Sequence, residues 1–466
     1  MSPLSNSAKN PSSDTIVALA TPSGVGAIGV IRLSGPEAIT IANAVFGGKD
    51  LTKQASHTIH FGTIRDGNTI LDEVLVSLFI APHSYTKENV VEISTHGSPF
   101  IIENCIKLFV KNGARAAKPG EFTLRAFLNG QLDLSQAEAV ADLIASNSQA
   151  SHQVAMQQMR GGFSSELQGL RNQLIHFASM IELELDFSEE DVEFANRDDL
   201  KGLIYRINHM IHRLMQSFEQ GNVMKNGVPV VIAGKPNVGK STLLNALLNE
   251  DRAIVSEIAG TTRDTIEDEM TIGGIKFRFI DTAGIRDTED TVEALGVLRT
   301  HEKMRQAKLI IYLFDPSQSA AEIVEQLDQI RLLNIPHITL LNKQDLMKHD
   351  LNPKLHAADF HLISAKNKEG IDSLKVEILH KLNLHQISTD DVLVSNIRHL
   401  EALQKTKESL DLVLQGIDSS IVTSDFLAVD IKQALHYLGE ITGTVTTEDL
   451  LENIFSKISI GKRNQL

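Results

Sequence analysis

The residues best suited to chemistry lie in the stretch Val230–Thr242, which reads VVIAGKPNVGKST. The phosphate-binding pattern G-x-x-x-x-G-K-[ST] is met by Gly234, Gly239, Lys240 and Ser241. In such a loop the glycines let backbone N–H groups reach phosphate oxygens, the lysine contacts the β- and γ-phosphates, and the hydroxyl holds Mg²⁺. An apolar strand before the loop and a helix after it favour a nucleotide site over a glycine-rich turn that matches by chance.

Two later motifs can supply groups for the metal and the γ-phosphate. Gly260-Thr261-Thr262 carries hydroxyls, and Asp281-Thr282-Ala283-Gly284 follows a predicted strand and adds a carboxylate and a glycine N–H. The next residue is Ile285, where many GTPases have a glutamine that orients the attacking water. Composition does not choose among the polar candidates that follow: Arg286, Glu289, Asp290 and Glu293. Inside the phosphate loop, Asn237 offers an oxygen through which a monovalent cation can neutralise transition-state charge.

Two motifs near the end of the same module predict which base is bound. Asn342-Lys343-Gln344-Asp345 follows a predicted strand, Ile338–Leu341, and Ser364-Ala365-Lys366 comes after it. An aspartate in this position can accept hydrogen bonds from N1–H and the 2-amino group of guanine, and adenine lacks those donors. The order and spacing of these motifs after the phosphate loop therefore predict a site that selects GTP over ATP.

The elements that must position these residues form a module from about Asn226 to Leu384. Helical periodicity fills roughly ninety residues before the module and resumes after it, from Ile397 to Tyr437, so one helical domain is predicted to be interrupted by the module. Ser135 is predicted to cap one of these helices, with Glu138 at the capping-box position. The acidic stretch Asp186–Phe194 is read as an exposed loop rather than a metal site, because no histidine is interleaved.

The N-terminal third is predicted to be a mixed α/β domain. Apolar stretches at Ile16–Ala20 and Ile28–Leu33 are typical of strands, and Asp66-Gly67-Asn68 predicts the turn of a hairpin. Arg32 and Glu92 are charged residues within predicted strands. Composition leaves open whether they are functional or lie on a solvated face.

The composition of the whole chain is that of an ordinary globular protein. Its 466 residues suggest about three domains, and no apolar run approaches the roughly 18–20 residues that span a bilayer. The polar start, residues 1–13, is predicted to be a disordered tail and not a secretory signal. The single Cys105 is predicted to be a buried structural thiol and fits a cytoplasmic location. The net charge of −15 argues against broad non-specific binding to nucleic acid.

Taken with the motifs above, the chain resembles the tRNA-modification GTPase family MnmE, also called TrmE, over Asp14–Lys462. The most specific matching segments are TIVALATPSG, PGEFTLRAFLNGQLDLSQAEAVADLI, the GTTRD-bearing module and ENIFSKISIGK. The resemblance implies an α/β multidomain fold. Its parts would be a mixed α/β folate-binding and dimerisation domain at residues 1–130, an all-α helical domain at 131–225 plus 386–466, and an inserted Ras-like P-loop GTPase domain at 226–385.

The resemblance also implies a function, namely GTP hydrolysis that depends on K⁺ and on dimerisation of the GTPase domains. Members act as homodimers with an FAD-containing subunit, MnmG (GidA), in a heterotetramer. The complex installs an aminomethyl-type (carboxymethylaminomethyl) group at C5 of wobble uridine 34 in certain tRNAs, and a tetrahydrofolate derivative, the 5,10-methylene form, supplies one carbon. The alternative hypothesis is a GTP-gated switch for RNA or ribosome assembly without modification chemistry, in which folate plays no part.

Site residues follow from the positions that match the family. The catalytic glutamate matches Glu293. The Mg²⁺ ligands match Ser241 and Thr262, and the K⁺ ligands match Asn237, Ser256, Ile258 and Thr261. The folate contacts match Arg32, Glu92, Gln131 and Lys462. The GTP-binding residues are Asn237, Val238, Gly239, Lys240, Ser241, Thr242, Ser256, Ile258, Ala259, Gly260, Thr261, Thr262, Asp281, Thr282, Ala283, Gly284, Asn342, Lys343, Asp345, Ser364, Ala365 and Lys366.

Two positions depart from the family pattern. The family usually ends in C-[IL]-G-K, whereas this chain has Ser459 in place of the cysteine. A hydroxyl is a much poorer nucleophile than a thiolate near neutral pH. Gln131 stands where a basic residue is common, so it keeps the capacity to hydrogen-bond and loses the charge.

Overall fold

The computed structural model describes residues 14–186, 196–251, 268–280, 304–346, 360–384, 393–419 and 424–457. These residues belong to two compact units. The first unit draws on Met1–Ala141, Gln158–Tyr205 and Lys405–Leu466, and the second on Asp142–Gln157 and Arg206–Gln404. Among the helices described, none has both the length and the apolar character that a membrane crossing requires.

The first unit contains a seven-stranded sheet with the order β3-β4-β5-β6-β2-β1-β7. Helices α1 (Ala38–Val45) and α2 (Pro99–Lys111) pack on it. Its strands are β1 Ile16–Leu19, β2 Ile28–Ser34, β3 Phe46–Gly47, β4 Thr58–Asp66, β5 Thr69–Phe79, β6 Val90–His96 and β7 Arg115–Ala116. The predicted strands and the hairpin are confirmed, and Gly67 at the turn has a φ of 60°.

One face of this sheet is buried because apolar residues alternate along its strands. Ile31 and Leu33 of β2 and Ile93 of β6 are fully buried, and they pack with Phe109 and Cys105 of α2. Burial raises the pKa of the Cys105 thiol to about 12, and the charge of Asp72 acts in the same direction. The prediction of a buried structural thiol is therefore confirmed.

The helices of the chain follow the predicted periodicity. Their bounds are α3 Glu121–Leu128, α4 Leu134–Ala145, α5 Gln149–Met159, α6 Gly162–Asp186, α7 Arg197–Asn226, α11 Ile397–Ser419, α12 Ser424–Thr442 and α13 Glu448–Lys457. Within the first unit, α6 packs on α12, and Lys432 of α12 forms an ion pair with Glu182 of α6. Leu174 and Ile181 of α6 are fully buried. The chain passes between the two units within α4, α5, α7 and α11.

The predicted cap at Ser135 is wrong. Helix α4 begins at Leu134, and the capping residue is Asp133, whose Oδ1 accepts a hydrogen bond from the Gln136 N–H at 2.9 Å. The Gln136 side chain accepts in return from the Asp133 N–H at 3.0 Å. Ser135 is fully buried and hydrogen-bonds Ser164. Aspartate caps as well as serine does, so the earlier acidic residue starts the helix.

The second unit contains a six-stranded sheet with the order β13-β12-β11-β8-β10-β9. The strands are β8 Val228–Gly234, β9 Asp268–Ile272, β10 Ile275–Phe279, β11 Leu309–Phe314, β12 His337–Leu341 and β13 Phe360–Leu362. Only β9 runs antiparallel to its neighbour among these strands. The helices of this module are α8 Lys240–Asp251, α9 Ala320–Leu332 and α10 Ile371–Lys381. The continuous apolar runs of β8 and β11 suit strands covered on both faces.

The acidic stretch Asp186–Phe194 lies, after its first residue, outside the described residues, as does the predicted tail at 1–13. The proposed three-domain boundaries stay a prediction. The mixed α/β fold with a helical portion and a P-loop module is as predicted.

Candidate functional site

The predicted phosphate loop lies between the end of β8 and the start of α8, as a strand–loop–helix unit requires. Gly234 and Gly239 have φ values of 143° and 101°, which an L side chain rarely adopts. A Cβ on Gly239 would lie 2.3 Å from Asn342 Nδ2. Asn237 also has a positive φ, 62°, and is exposed. The backbone of the loop thus has a positive φ at three positions, two of which are glycines.

Lys240 begins α8 and directs its ammonium group back into the loop. Its Nζ donates to the carbonyl oxygens of Gly234 at 2.9 Å and Lys235 at 3.0 Å. Burial lowers the pKa of this amine. Ser241 and Thr242 follow in the first turn of α8. The helix therefore presents its N–H groups, a cation and two hydroxyls at one end.

Asn342 joins two of the predicted binding segments. Its side chain is almost completely buried, and its Nδ2 donates to the Val238 carbonyl at 2.8 Å. Its Oδ1 accepts from the Ala365 N–H at 3.0 Å. The residue that follows β12 thereby holds the phosphate loop and the Ser364-Ala365-Lys366 segment together. In the part of the chain described, this is the clearest link between them.

Lys343 makes a second connection to the loop. Its Nζ donates to the Asn237 carbonyl at 2.9 Å and to the Asp315 carboxylate. Asp315 follows β11 directly and was not among the predicted site residues. An acidic residue at the carboxyl end of a parallel strand, next to the strand that carries NKxD, is the signal that could have found it.

The residues predicted to read the base lie close together. Ser364 is fully buried, and its Oγ donates to Asp345 Oδ1 at 2.6 Å. The backbone of Gln344 donates to Ile363 O at 3.1 Å, so the two segments run side by side. Ala365 is buried and Lys366 is exposed. A carboxylate, an exposed lysine stem and backbone N–H groups therefore lie together after β12 and β13.

Several predicted site residues lie outside the described residues, and their roles stay predictions. They are Ser256, Ile258, Ala259, Gly260, Thr261, Thr262, Asp281, Thr282, Ala283, Gly284, Glu293 and Lys462.

A second polar site lies on the sheet of the first unit. Arg32 and Glu92 stand opposite each other on β2 and β6, and Arg32 Nε donates to Glu92 Oε1 at 2.8 Å. The guanidinium lies 5.3 Å from the centre of the Tyr85 ring and 5.6 Å from that of Phe122. Both side chains of the ion pair stay about one-quarter exposed. The structure thus brings Arg32 and Glu92 together and sets the Arg32 guanidinium near two aromatic rings.

Tyr85 and Phe122 were missed by the sequence analysis, because one lies in a loop and the other in a helix. An ion network holds that helix, α3, in place. Arg125 is buried, with 3% of its side chain exposed, and bonds the carboxylates of Asp14, Glu88 and Glu121. Burial alone would raise the pKa of Glu121, and hydrogen bonds from Arg115 and the Lys118 N–H outweigh this and lower it.

Gln131 lies in the exposed turn that follows α3. Its backbone N–H donates to Ala126 O at 2.8 Å, and the preceding carbonyl, Gly130 O, accepts from Lys87 at 2.7 Å. The turn is therefore tied both to α3 and to the loop that carries Tyr85. Gln131 therefore lies beside the elements of the second site, and among the residues that the structure describes it makes no direct hydrogen bond to Arg32 or Glu92.

Two family models match this chain. The model described as GTP-binding protein TrmE N-terminus matches residues 15–131. The model described as MnmE helical domain matches residues 134–457. Together they take in both polar sites.

The chain is also similar to curated proteins along most of its length. Proteins of Cytophaga hutchinsonii, Christiangramia forsetii and Bacteroides thetaiotaomicron are 58%, 55% and 51% identical to it. Each alignment covers 96% of this chain and 98% or 99% of the relative, and each relative is named tRNA modification GTPase MnmE. Among solved structures, Aquifex aeolicus Era bound to GDP and AlF4⁻ is 28% identical, covers 40% of this chain and 67% of its own, and has a TM-score of 0.27.

Proposed function

Because the chain belongs to the MnmE family of tRNA modification GTPases and is a GTP hydrolase, we propose that it binds GTP between β8 and α8. The observation that carries this proposal is Asn342, which bonds both the Val238 carbonyl and the Ala365 N–H. Lys240 contacts the β- and γ-phosphates, and Asp345 accepts from the guanine base. One rigid arrangement then positions both ends of the nucleotide.

The proposed site also holds Mg²⁺ and K⁺. Ser241, in the first turn of α8, binds Mg²⁺ together with Thr262. Asn237 binds K⁺ together with Ser256, Ile258 and Thr261. Bound cations supply neutralisation of the charge that develops on the phosphates during hydrolysis. The residues present fit this chemistry, since Asn237 is exposed at the loop and its backbone carbonyl is already held by Lys343.

Glu293 is the proposed catalytic residue of hydrolysis. Ile285 follows the Asp281-Thr282-Ala283-Gly284 motif and has no polar atom that could orient a water molecule. A carboxylate eight residues further along can accept a proton from water or hold it by a hydrogen bond. We assign that role to Glu293 within the proposed dimer of GTPase domains.

We propose that this hydrolysis serves the modification of tRNA. The reaction adds an aminomethyl-type group at C5 of wobble uridine 34, and an FAD-containing subunit of the MnmG (GidA) type acts as the partner in the cytoplasm. The support is the name shared by the relatives, tRNA modification GTPase. A partner with a basic surface suits a chain with a net charge of −15, because tRNA phosphates need cations.

The second site is proposed to bind a tetrahydrofolate derivative. A pterin ring is flat and carries N–H and amino donors along one edge, which a carboxylate such as Glu92 can accept. Tyr85 and Phe122 provide aromatic faces, and Arg32 provides a planar cation that can stack or pair with a ligand carboxylate. Gln131 and Lys462 complete the proposed set. Folate binding explains why these residues lie together, whereas the alternative hypothesis of an assembly switch requires no such site.

The same face of the sheet is proposed to contact a second copy of the chain. Ile59, Phe61 and Leu75 expose 66%, 69% and 47% of their surface. Leu75 stands opposite both Phe61 and Ser94 in the sheet, and Ser77 stands opposite Glu92, so this apolar strip shares a face with the ion pair. An exposed apolar strip beside a ligand site is typical of an interface.

Titration with 5-formyltetrahydrofolate tests the assignment of this site. We expect saturable binding by the full-length protein and about tenfold weaker binding by Phe122→Ala, because a stacked ring contributes about 1 kcal/mol beyond its buried area. Phe100→Ala is the matched control, since Phe100 is an exposed phenylalanine of α2. Wild-type protein that shows no saturable binding would remove folate from the proposal and leave the assembly switch as the function.

A further inference from the structure

Lys343 links the segment proposed to read guanine to the phosphate loop, and it is held by an aspartate that belongs to neither motif. Asp315 follows β11, and its carboxylate accepts from Lys343 Nζ. The same Nζ donates to the Asn237 carbonyl at 2.9 Å. We propose that Asp315 is a positioning residue that tunes the response to K⁺ by holding Lys343 against Asn237. This inference rests on the proposed function, in which Asn237 is a K⁺ ligand.

Lys343 needs such a partner because a lysine side chain has many rotamers. Ordering it costs conformational entropy, and a hydrogen bond to one neutral carbonyl is too weak to hold the side chain alone. Asp315 is itself held, since its Oδ1 accepts from the Ser317 N–H at 2.8 Å, and only 13% of its side chain is exposed. A fixed carboxylate therefore defines where the ammonium group lies. Charge-assisted hydrogen bonds of this kind are stronger than neutral ones.

The electrostatics of Asp315 agree with this geometry. Burial alone would raise the pKa of its carboxyl, and the hydrogen bonds from Lys343 and Ser317 outweigh that effect and lower the pKa. The groups that face the carboxylate, Lys343 and the Ser317 N–H and hydroxyl, all favour its charged form. The ion pair therefore persists at neutral pH.

The position of Lys343 affects K⁺ binding through Asn237, the proposed K⁺ ligand. Its φ of 62° lies in the left-handed region, where a non-glycine residue persists only if its surroundings hold it. The Lys343 hydrogen bond is such a restraint, because it fixes the carbonyl of the same residue. The direction of the Asn237 side chain depends on that backbone. Loss of Asp315 would therefore loosen Asn237 without removing any atom of the loop.

Asp315→Asn tests this inference, with Asp328→Asn as the matched control. Asp328 is an exposed aspartate of α9 that also pairs with a basic residue, Arg331. The primary measurement is the K⁺ concentration that gives half-maximal GTP hydrolysis at saturating GTP. We expect Asp315→Asn to raise it about tenfold, within the usual range of coupling between sites, and Asp328→Asn to leave it unchanged. Asp315→Glu restores the carboxylate and should recover part of the loss.

A second readout does not depend on hydrolysis. In the presence of a non-hydrolysable GTP analogue, K⁺ should raise the Tm of the wild-type protein above its value in Na⁺. Asp315→Asn should lose most of this K⁺-specific rise and keep its Tm in Na⁺ close to that of the control. A merely structural role would lower the Tm in both salts equally.

The outcomes separate this inference from the function on which it rests. If the wild-type protein hydrolyses GTP equally well in K⁺ and Na⁺, the proposed K⁺ dependence is wrong and the inference falls with it. If the wild-type protein responds to K⁺ and Asp315→Asn responds at the same concentration, only the role of Asp315 is wrong. A variant that loses stability in both salts, and is not recovered by Asp315→Glu, also contradicts the inference.

Discussion

Ser364 orients the carboxylate that is proposed to read the base. Its hydroxyl is buried and donates to Asp345 Oδ1 at 2.6 Å, so the carboxylate has a fixed direction before any ligand arrives. A group that is already oriented loses little entropy on binding. The other oxygen of Asp345 can then accept from the donor edge of guanine. Discrimination by such a site comes from the partners that a wrong base would leave unpaired.

Asp345→Asn should therefore change which base is bound. An amide can donate as well as accept, so it suits the 2-oxo group of xanthine and loses one acceptor for guanine. We expect GTP affinity to fall by about a hundredfold, as removal of a charged hydrogen-bond partner costs roughly 2–3 kcal/mol, while xanthosine triphosphate affinity rises. Competition between labelled GTP and each nucleotide measures both changes.

A matched control for this experiment is Asp372→Asn. Asp372 is an aspartate in the first turn of α10 whose side chain is 94% exposed. The Asp372→Asn variant should bind GTP and xanthosine triphosphate with the affinities of the wild-type protein. A variant of Asp345 that keeps its preference for GTP over xanthosine triphosphate would contradict the base-reading assignment.

The residues of the second site could be found in the sequence only in part, because their contacts depend on tertiary packing. Arg32 and Glu92 could be located on strands, and the alternation of apolar residues could not say that the two strands are neighbours in register. Phe122 and Tyr85 complete the site from a helix and a loop. Their approach depends on the buried network around Arg125, which is a property of tertiary packing and not of local pattern.

At the scale of elements, helix α3 is held at its start by contact with helix α13. Gly120 caps α3 in a left-handed conformation, with a φ of 68°, and a Cβ there would lie 2.1 Å from the Phe455 carbonyl oxygen. Phe455 is buried against Leu134 and its aromatic ring lies near that of Phe127. Only glycine satisfies both the backbone conformation and the close approach.

Gly120→Ala should lower the stability of the protein for both reasons. The left-handed conformation costs an alanine about 1 kcal/mol, and displacement of the Phe455 backbone adds roughly 2–3 kcal/mol, as overpacking does in cores. The expected result is a clearly lower urea midpoint for the unfolding of the full chain, followed by circular dichroism.

Gly67→Ala separates the two contributions. Gly67 has a similar φ of 60°, in the hairpin turn, and a Cβ there would have no atom within 4 Å. The free energy of unfolding of this variant should fall only by the cost of placing an alanine in the left-handed conformation, about 1 kcal/mol. If the two alanine variants unfold at the same urea concentration, the contact between α3 and α13 does not matter for stability.

The elements themselves were largely predictable, because their periodicity is local. The strand, loop and helix around Lys240 lie where the pattern placed them, and so does the strand before Asn342. The capping residue predicted at Ser135 lies two residues too late, because Asp133 can cap a helix equally well and does so here. Asp315 was missed because its contact with Lys343 depends on β11 lying next to β12 in the sheet, which the spacing of residues along the chain does not show.

At the scale of the whole molecule, the two proposed sites belong to different compact units. The phosphate loop lies in the second unit, and the Arg32–Glu92 pair lies in the first. The proposed sites for GTP and for folate are therefore carried by different parts of one chain, and we propose that both serve a single reaction. The central claim is that this reaction is the modification of wobble uridine 34.

The most direct test is mass spectrometry of wobble uridines in tRNA from cells with and without this protein. We expect deletion to abolish the aminomethyl-type group at C5, and the wild-type gene to restore it. Lys240→Ala and Arg32→Ala should each fail to restore it, since each disables one proposed site. Wobble uridines that keep the full C5 modification after deletion would contradict the central claim.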